Sequence, residues 1–220
     1  MEKVKNVLWT GGWDSTFRVI QLYRRGASIQ PFYIYDHNRK SAKKEIEVMK
    51  LLSSEIPIHF SNKNGEILPL KITKRKDIPS NLFLKIIHKV LRYKVQMGKQ
   101  YYWLASYAKS NKYLDVSFHK EDLGKFFRKE QLTEIKDGVY GSNWKVDGKK
   151  VGFLRKHLFK NMRFPLISIT KPEMKAISEK YGFIDLMEMT WFCHYSENKP
   201  CGKCAPCKQY IRDGFAYRLQ

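Results

Sequence analysis

Two groups of residues in this chain could do chemistry. Near the start, Thr10-Gly11-Gly12-Trp13-Asp14-Ser15-Thr16 gathers two glycines, three hydroxyls and a carboxylate. Paired glycines let backbone N–H groups converge with no Cβ in the way. A helix opening at this point adds its first free N–H groups and the positive end of its dipole, and Ser15 and Thr16 add hydroxyl donors. That combination suits a phosphate. The plainer alternative is a strand-to-helix turn capped by Asp14 or Ser15. The stretch matches neither Gly-x-x-x-x-Gly-Lys-Ser/Thr nor Gly-x-Gly-x-x-Gly, so it is neither Walker A nor the dinucleotide fingerprint. Near the other end stand the chain's four cysteines, Cys193, Cys201, Cys204 and Cys207, the last three spaced Cys-x-x-Cys-x-x-Cys. Clustered thiolates give zinc its four soft ligands in a tetrahedron, with Gly202 and Pro206 shaping the turns between them. An iron–sulfur cluster is the competing reading. His194 is expected to be exposed rather than a ligand.

These residues need a scaffold. The apolar run Val4 to Trp9 reads as a buried parallel strand, and Phe17, Ile20, Leu22 and Tyr23 recur at helical spacing behind the glycines. Arg24-Arg25-Gly26 ends that helix. A second strand follows over 29–35, with Asp36 at its C-terminal end. A helix over 41–54 and a short third strand over 55–60 come next. Residues 61–79 are basic and punctuated by Gly and Pro, and are expected to form a loop or lid. Helices are expected over 81–97 and 100–110, the latter an aromatic core helix. A fourth strand is expected over 114–118, ahead of His119-Lys120-Glu121-Asp122. The stretch 138–151 reads as a β-hairpin insertion. A short basic helix over 153–161 precedes a fifth strand over 164–169. Thr170 then caps a helix with Pro172 and Glu173 in its first turn, ending near Tyr181-Gly182. Alternating strands and helices predict an α/β fold with a doubly wound, mostly parallel sheet. A small cysteine segment closes it, the division falling as 1–190 and 191–220.

The chain has 220 residues and 43% hydrophobic content, enough for a sizeable core. No run approaches membrane-spanning length and the chain opens straight into a strand, so a cytoplasmic location is expected. The formal net charge of +21 points to a polyanion partner, or else to lysines kept for solubility and spread along the surface.

The segment Thr10-Gly11-Gly12-Trp13-Asp14-Ser15 resembles the pyrophosphate loop of the N-type ATP pyrophosphatases (PP-loop superfamily). Taken with Pro165-Leu166, Thr170-Lys171, Thr190-Trp191-Phe192-Cys193, Cys201-Gly202-Lys203-Cys204-Ala205-Pro206-Cys207 and Arg212, it resembles the 7-cyano-7-deazaguanine synthase family of queuosine biosynthesis. The resemblance implies a Rossmann-like, adenine nucleotide alpha hydrolase type of fold. It implies ATP and Mg²⁺ bound through Trp9, Thr10, Gly11, Gly12, Trp13, Asp14, Ser15 and Thr16, and Zn²⁺ held by the four cysteines. It further implies an ATP-dependent carbon–nitrogen ligase, in which a deazapurine carboxylate attacks the α-phosphorus, pyrophosphate leaves, and ammonia converts the adenylate to an amide and then a nitrile. Asp14 would orient the loop or help hold the metal. Lys171 would touch phosphate, with a solvated helix-start lysine as the alternative. Trp191 and Phe192 would wall the pocket or pack in the core. Thr10 stands where the family has serine, and the family's central pocket-shaping blocks have no counterpart; Val116 to Asp122 replaces one of them. A macromolecular acceptor, such as a tRNA base or a protein group, is therefore the second expectation. A nucleotide-binding module without turnover is the third, and a homodimer stays open.

Overall fold

The computed structural model describes residues 4–61, 65–111, 113–138 and 141–220. Its centre is a parallel sheet. Strand β1 (Lys5–Leu8) lies between β2 (Ser28–Tyr35) and β5 (Leu114–Asp115). Beyond β5 comes β8 (Met162–Arg163), and beyond β2 come β3 (Glu66–Ile67) and β4 (Lys71–Lys74). Every pairing in this sheet is parallel. The chain runs outward from β1 to β2 and the β3–β4 edge, then returns to the other side of β1 at β5. The turn after β1 therefore sits where the strand order reverses, the place where open α/β sheets bind ligands.

Helix α1 (Trp13–Tyr23) is buried nearly all round, Trp13, Phe17, Val19, Ile20 and Leu22 among its covered residues. It is enclosed by the sheet, by α6 (Lys171–Lys180) and α7 (Ile184–Glu188), and by the cysteine segment. Gly26, at φ +82°, ends the turn after α1 in the left-handed conformation that side chains resist. Apolar side chains fill two cores, one on each face of the sheet. The first joins α1, α2 (Ala42–His59), α6 and α7 to Cys193, Cys204, Cys207, Tyr210 and Phe215. The second joins α3 (Leu82–Arg92), α4 (Gln100–Ser110) and α5 (Phe153–Phe159) around Phe118, Phe126, Phe127 and Phe164. No helix among the described residues is long and apolar enough to cross a membrane.

Several expected elements differ. Residues 55–60 are not a strand: α2 continues through them because Ile56, one turn past Leu52, is buried in the same core. The third strand comes instead from the stretch expected as a loop over 61–79, of which 62–64 lie outside the described residues. Here β3 and β4 form one edge, and their register on β2 slips by one residue between Ile29↔Ile67 and Phe32↔Lys71. Pro69 sits in that slip, where its missing N–H costs no ladder bond, and its carbonyl accepts from Gln30 Nε2 at 2.9 Å. Helix α3 stops at Arg92 rather than 97, because Lys94 and Val95 turn their N–H groups back onto the Leu91 carbonyl. The expected strand 114–118 is only Leu114–Asp115. Phe164 to Ile169 is a buried turn rather than a strand, with Ile169 N–H on the Leu166 carbonyl at 3.1 Å, and the strand lies just before it as β8.

The expected hairpin is present with different limits. Strands β6 (Leu132–Lys136) and β7 (Ser142–Val146) pair antiparallel, and residues 139 and 140 lie outside the described residues. A buried network ties the hairpin to the sheet. Arg18 Nε donates to Asp115 Oδ2 at 2.8 Å, and Asn143 Nδ2 donates to Asp115 Oδ1 at 2.9 Å. Losing one member would strand a buried charge.

Candidate functional site

The turn after β1 is built by its own hydroxyls. Ser15 Oγ accepts from Thr10 N–H and donates to the Gly12 carbonyl, both at 3.2 Å. Gly11 has φ +66°, and a Cβ there would stand 3.0 Å from the Glu45 carbonyl oxygen, so the position admits only glycine without strain. Gly12 differs: its backbone is extended and its added Cβ would meet nothing closer than 3.5 Å. Gly12 opens α1, and no side chain caps the helix's first N–H groups. The turn capped by Asp14 or Ser15 is therefore not what forms, and those amides are available to an anion.

Within Trp9 to Thr16, the residues divide by burial. Trp9, Trp13 and Thr16 lie in the core, and Trp9 Nε1 donates to Thr16 Oγ1 at 2.9 Å, supporting the turn from beneath. Thr10, Gly12 and Asp14 face partly outward. Asp14 meets Lys171, whose Nζ lies 2.7 Å from both carboxylate oxygens. Lys171 is 4% exposed, so it is no solvated helix-start lysine. It is held there because Thr170 caps α6 through a reciprocal bond pair with Glu173, fixing the first turn of the helix.

The wall opposite comes from the segment after β5 and from α8 (Ala205–Arg212). His119 is buried; its Nδ1 accepts the Glu121 N–H at 3.3 Å, and its Nε2 meets the Gln209 side-chain amide at 3.1 Å. Asp122 accepts the His119 N–H at 3.1 Å. Burial pushes the Asp122 carboxyl above its usual range and the Asp14 charge adds to this, while His119 and Lys171 work the other way. Asp213 is also raised, by burial and then by Glu121; its side chain is 4% exposed and its Oδ2 lacks a hydrogen-bond partner. The site thus holds a buried lysine, a histidine and two carboxyls biased toward protonation, all at the mouth of the glycine turn. Carboxyls raised in this way hold a proton more tightly than free ones.

The four cysteines converge as their spacing implied. Their sulfurs all lie within 4.8 Å of one another, with Cys204–Cys207 at 3.3 Å and Cys201–Cys207 at 3.9 Å. Sulfurs about 2.3 Å from one tetrahedral ion stand roughly 3.8 Å apart, so the set fits a single metal ion. Backbone N–H groups of Lys203 and Cys204 point at the Cys201 sulfur and lower its thiol to about 6, favouring the thiolate that a metal needs. His194 is not among the four. It is half-buried rather than exposed, and burial pushes its imidazole down to about 4. Among the described residues this is the one group of three or more His, Cys, Asp or Glu side chains close enough to share a metal ion.

The cysteine segment and the glycine turn touch. Trp191 N–H donates to the Gly11 carbonyl at 2.9 Å, and Trp13 packs edge-on against Phe215 with centroids 4.9 Å apart. Phe192 is core, stacked on Tyr210 at 3.9 Å. Arg218 spans these rings and is held by Glu188 at 2.9 Å. No protein-family model matches the chain, and no curated protein matches it. The functional reading therefore rests on the site itself. Sequence reasoning marked Asp14, Lys171 and the cysteines; it did not mark His119, Asp122, Gln209 or Asp213 as site residues. For His119 and Asp122 the signal was their place just after the central strand β5, on the side where α/β sheets carry their ligands.

Proposed function

We propose that the protein is an ATP-dependent ligase that adenylates a carboxylate and passes it to ammonia, as the 7-cyano-7-deazaguanine synthase resemblance implies. The observation that carries this reading is the uncapped start of α1 behind the left-handed Gly11, at the strand-order reversal, with Lys171 buried against Asp14 at its mouth. The first amides of α1 bind the nucleotide's phosphates. Asp14 holds Lys171, which keeps a positive charge beside the leaving pyrophosphate; with both its oxygens on that lysine, Asp14 orients the site rather than a metal. A divalent cation accompanying the nucleotide, such as Mg²⁺, would supply further charge neutralisation. Asp122 takes the proton from the attacking nitrogen, its raised pKa making it the stronger base. Cys193, Cys201, Cys204 and Cys207 would hold Zn²⁺, which would play a structural part, fixing the segment whose Trp191 N–H bonds the Gly11 carbonyl.

The test is incubation with ATP, Mg²⁺, ammonium and 7-carboxy-7-deazaguanine, read by mass spectrometry. AMP together with an amide or nitrile product is expected. Release of ADP and phosphate, with no AMP, would refute adenylation.

A further inference from the structure

The side of the sheet away from the cysteines carries a groove of about 670 Å³ between α3 and α4. Arg75, Lys85, Lys89, Arg92 and Lys99 line it. Only Arg75 has an ion pair with a described residue, Asp36 at 2.7 Å; the other four have none. On a helix of about 3.6 residues per turn, Lys85, Lys89 and Arg92 fall in one row. That row lies between the buried face of α3 (Leu84, Ile87, His88, Leu91) and its exposed apolar face (Leu82, Phe83, Ile86, Val90, Tyr93). Like charges so concentrated demand an anion. They also oppose self-association, since pairing α3 with a second copy would bring two such rows together.

Two flat rings accompany the cations. Tyr93 is 83% exposed at the rim, and Tyr102 lines the wall. His88 is fixed beneath, its Nε2–H donating to the Gly98 carbonyl at 2.8 Å. Cations that follow a backbone, with exposed aromatic faces beside them, are what single-stranded nucleic acid requires. One lining residue reaches the edge of the sheet that carries the glycine turn: Arg75 directly follows β4, and its partner Asp36 directly follows β2.

We propose that the α3–α4 groove binds a single-stranded segment of RNA through its phosphates and one or two stacked bases. Its use to bring an acceptor base to the glycine turn rests on the adenylation reading; the binding itself does not. The test is fluorescence anisotropy with a labelled RNA of about 12 nucleotides. Four neutralised phosphates predict affinity falling roughly 50-fold between about 50 and 200 mM salt. The combined variant K85E/K89E/R92E should lose at least that factor at low salt and flatten the salt dependence. Tyr93→Ala removes an almost fully exposed ring, so the fold is not at risk, and should weaken binding about tenfold. No RNA binding, or binding that neither variant weakens, overturns the proposal. So does binding to phosphatidylserine–phosphatidylcholine vesicles that needs these residues while RNA does not bind. AMP formation is scored separately: RNA binding without AMP leaves the groove standing and removes adenylation, and AMP without RNA binding does the reverse.

Discussion

The two faces of the sheet treat positive charge in opposite ways. On the face of the glycine turn and the cysteines, the covered cations beside the site are answered from within. Lys171 has Asp14, Arg218 has Glu188 and Arg39 has Glu45. On the α3–α4 face, the row of Lys85, Lys89 and Arg92, with Lys99 across the groove, has no ion pair to any described residue. A paired, buried cation holds a site in shape, and removing its partner is costly. An unpaired, exposed cation contributes little to the fold and is available to something outside it. The difference predicts damage to stability on the first face and damage to binding on the second.

The largest effect is expected at the cysteines. Cys204→Ala removes one of four metal ligands, and the binding free energy of a structural metal is folding free energy. Its melting midpoint should fall by more than about 10 °C, with metal content well below one ion per chain. Wild-type protein purified anaerobically should carry zinc; a brown chromophore with stoichiometric iron would reassign the centre.

A middle-sized effect should separate the two glycines. Gly11→Ala forces a side chain into left-handed backbone beside the Glu45 carbonyl, at a cost of about 1–2 kcal/mol, or roughly 2–8 °C in melting midpoint. Gly12→Val needs no left-handed backbone and its Cβ meets nothing closer than 3.5 Å, so its midpoint should fall by no more than about 4 °C, while ATP affinity drops more than tenfold as a branched side chain crowds the first amides of α1. If Gly12→Val binds ATP normally, the phosphate is not held at this turn.

The smallest effect is one of pH on the opposite face. Burial, helped by the Arg92 charge, lowers the His88 pKa below 6.5, though its bond to the Gly98 carbonyl pulls the other way. The unfolded chain therefore takes up the proton first, and stability is full above 6.5 and declines as pH falls through it. Between about pH 7.5 and 5.5, wild-type should lose up to about 3 °C more than His88→Gln. Parallel curves for the two proteins would remove His88 as the cause.

Much of this arrangement was legible in the residues. The run into Thr10-Gly11-Gly12, the capped start at Thr170 and the cysteine spacing are local signals, and each formed as read. The misreadings arose where a tertiary neighbour decided. Ile56 and Ile58 look strand-forming, yet Ile56 follows Leu52 into the core as helix. Lys71-Ile72-Thr73-Lys74 looks too polar for a sheet, but an edge strand has one neighbour and tolerates exposed lysines. Phe164 to Ile167 is apolar because it is buried, not because it is extended, and Pro165 supplies no N–H for a ladder. The wall of His119, Asp122, Gln209 and Asp213 was unreadable as a unit, since it is assembled by folding from distant parts of the chain.

The contact between Trp13 and Phe215 has a consequence for biosynthesis. Strand β1 and helix α1 are translated well before β5, which pairs β1 on its other side, and before the aromatic cover of Trp13. At about 5–20 residues per second the interval between Trp13 and Phe215 is roughly 10–40 s. During that time a helix that is buried nearly all round in the folded protein is synthesised but uncovered, a nascent chain suited to chaperone capture. Its central layer closes only when the last cysteine turn has been translated.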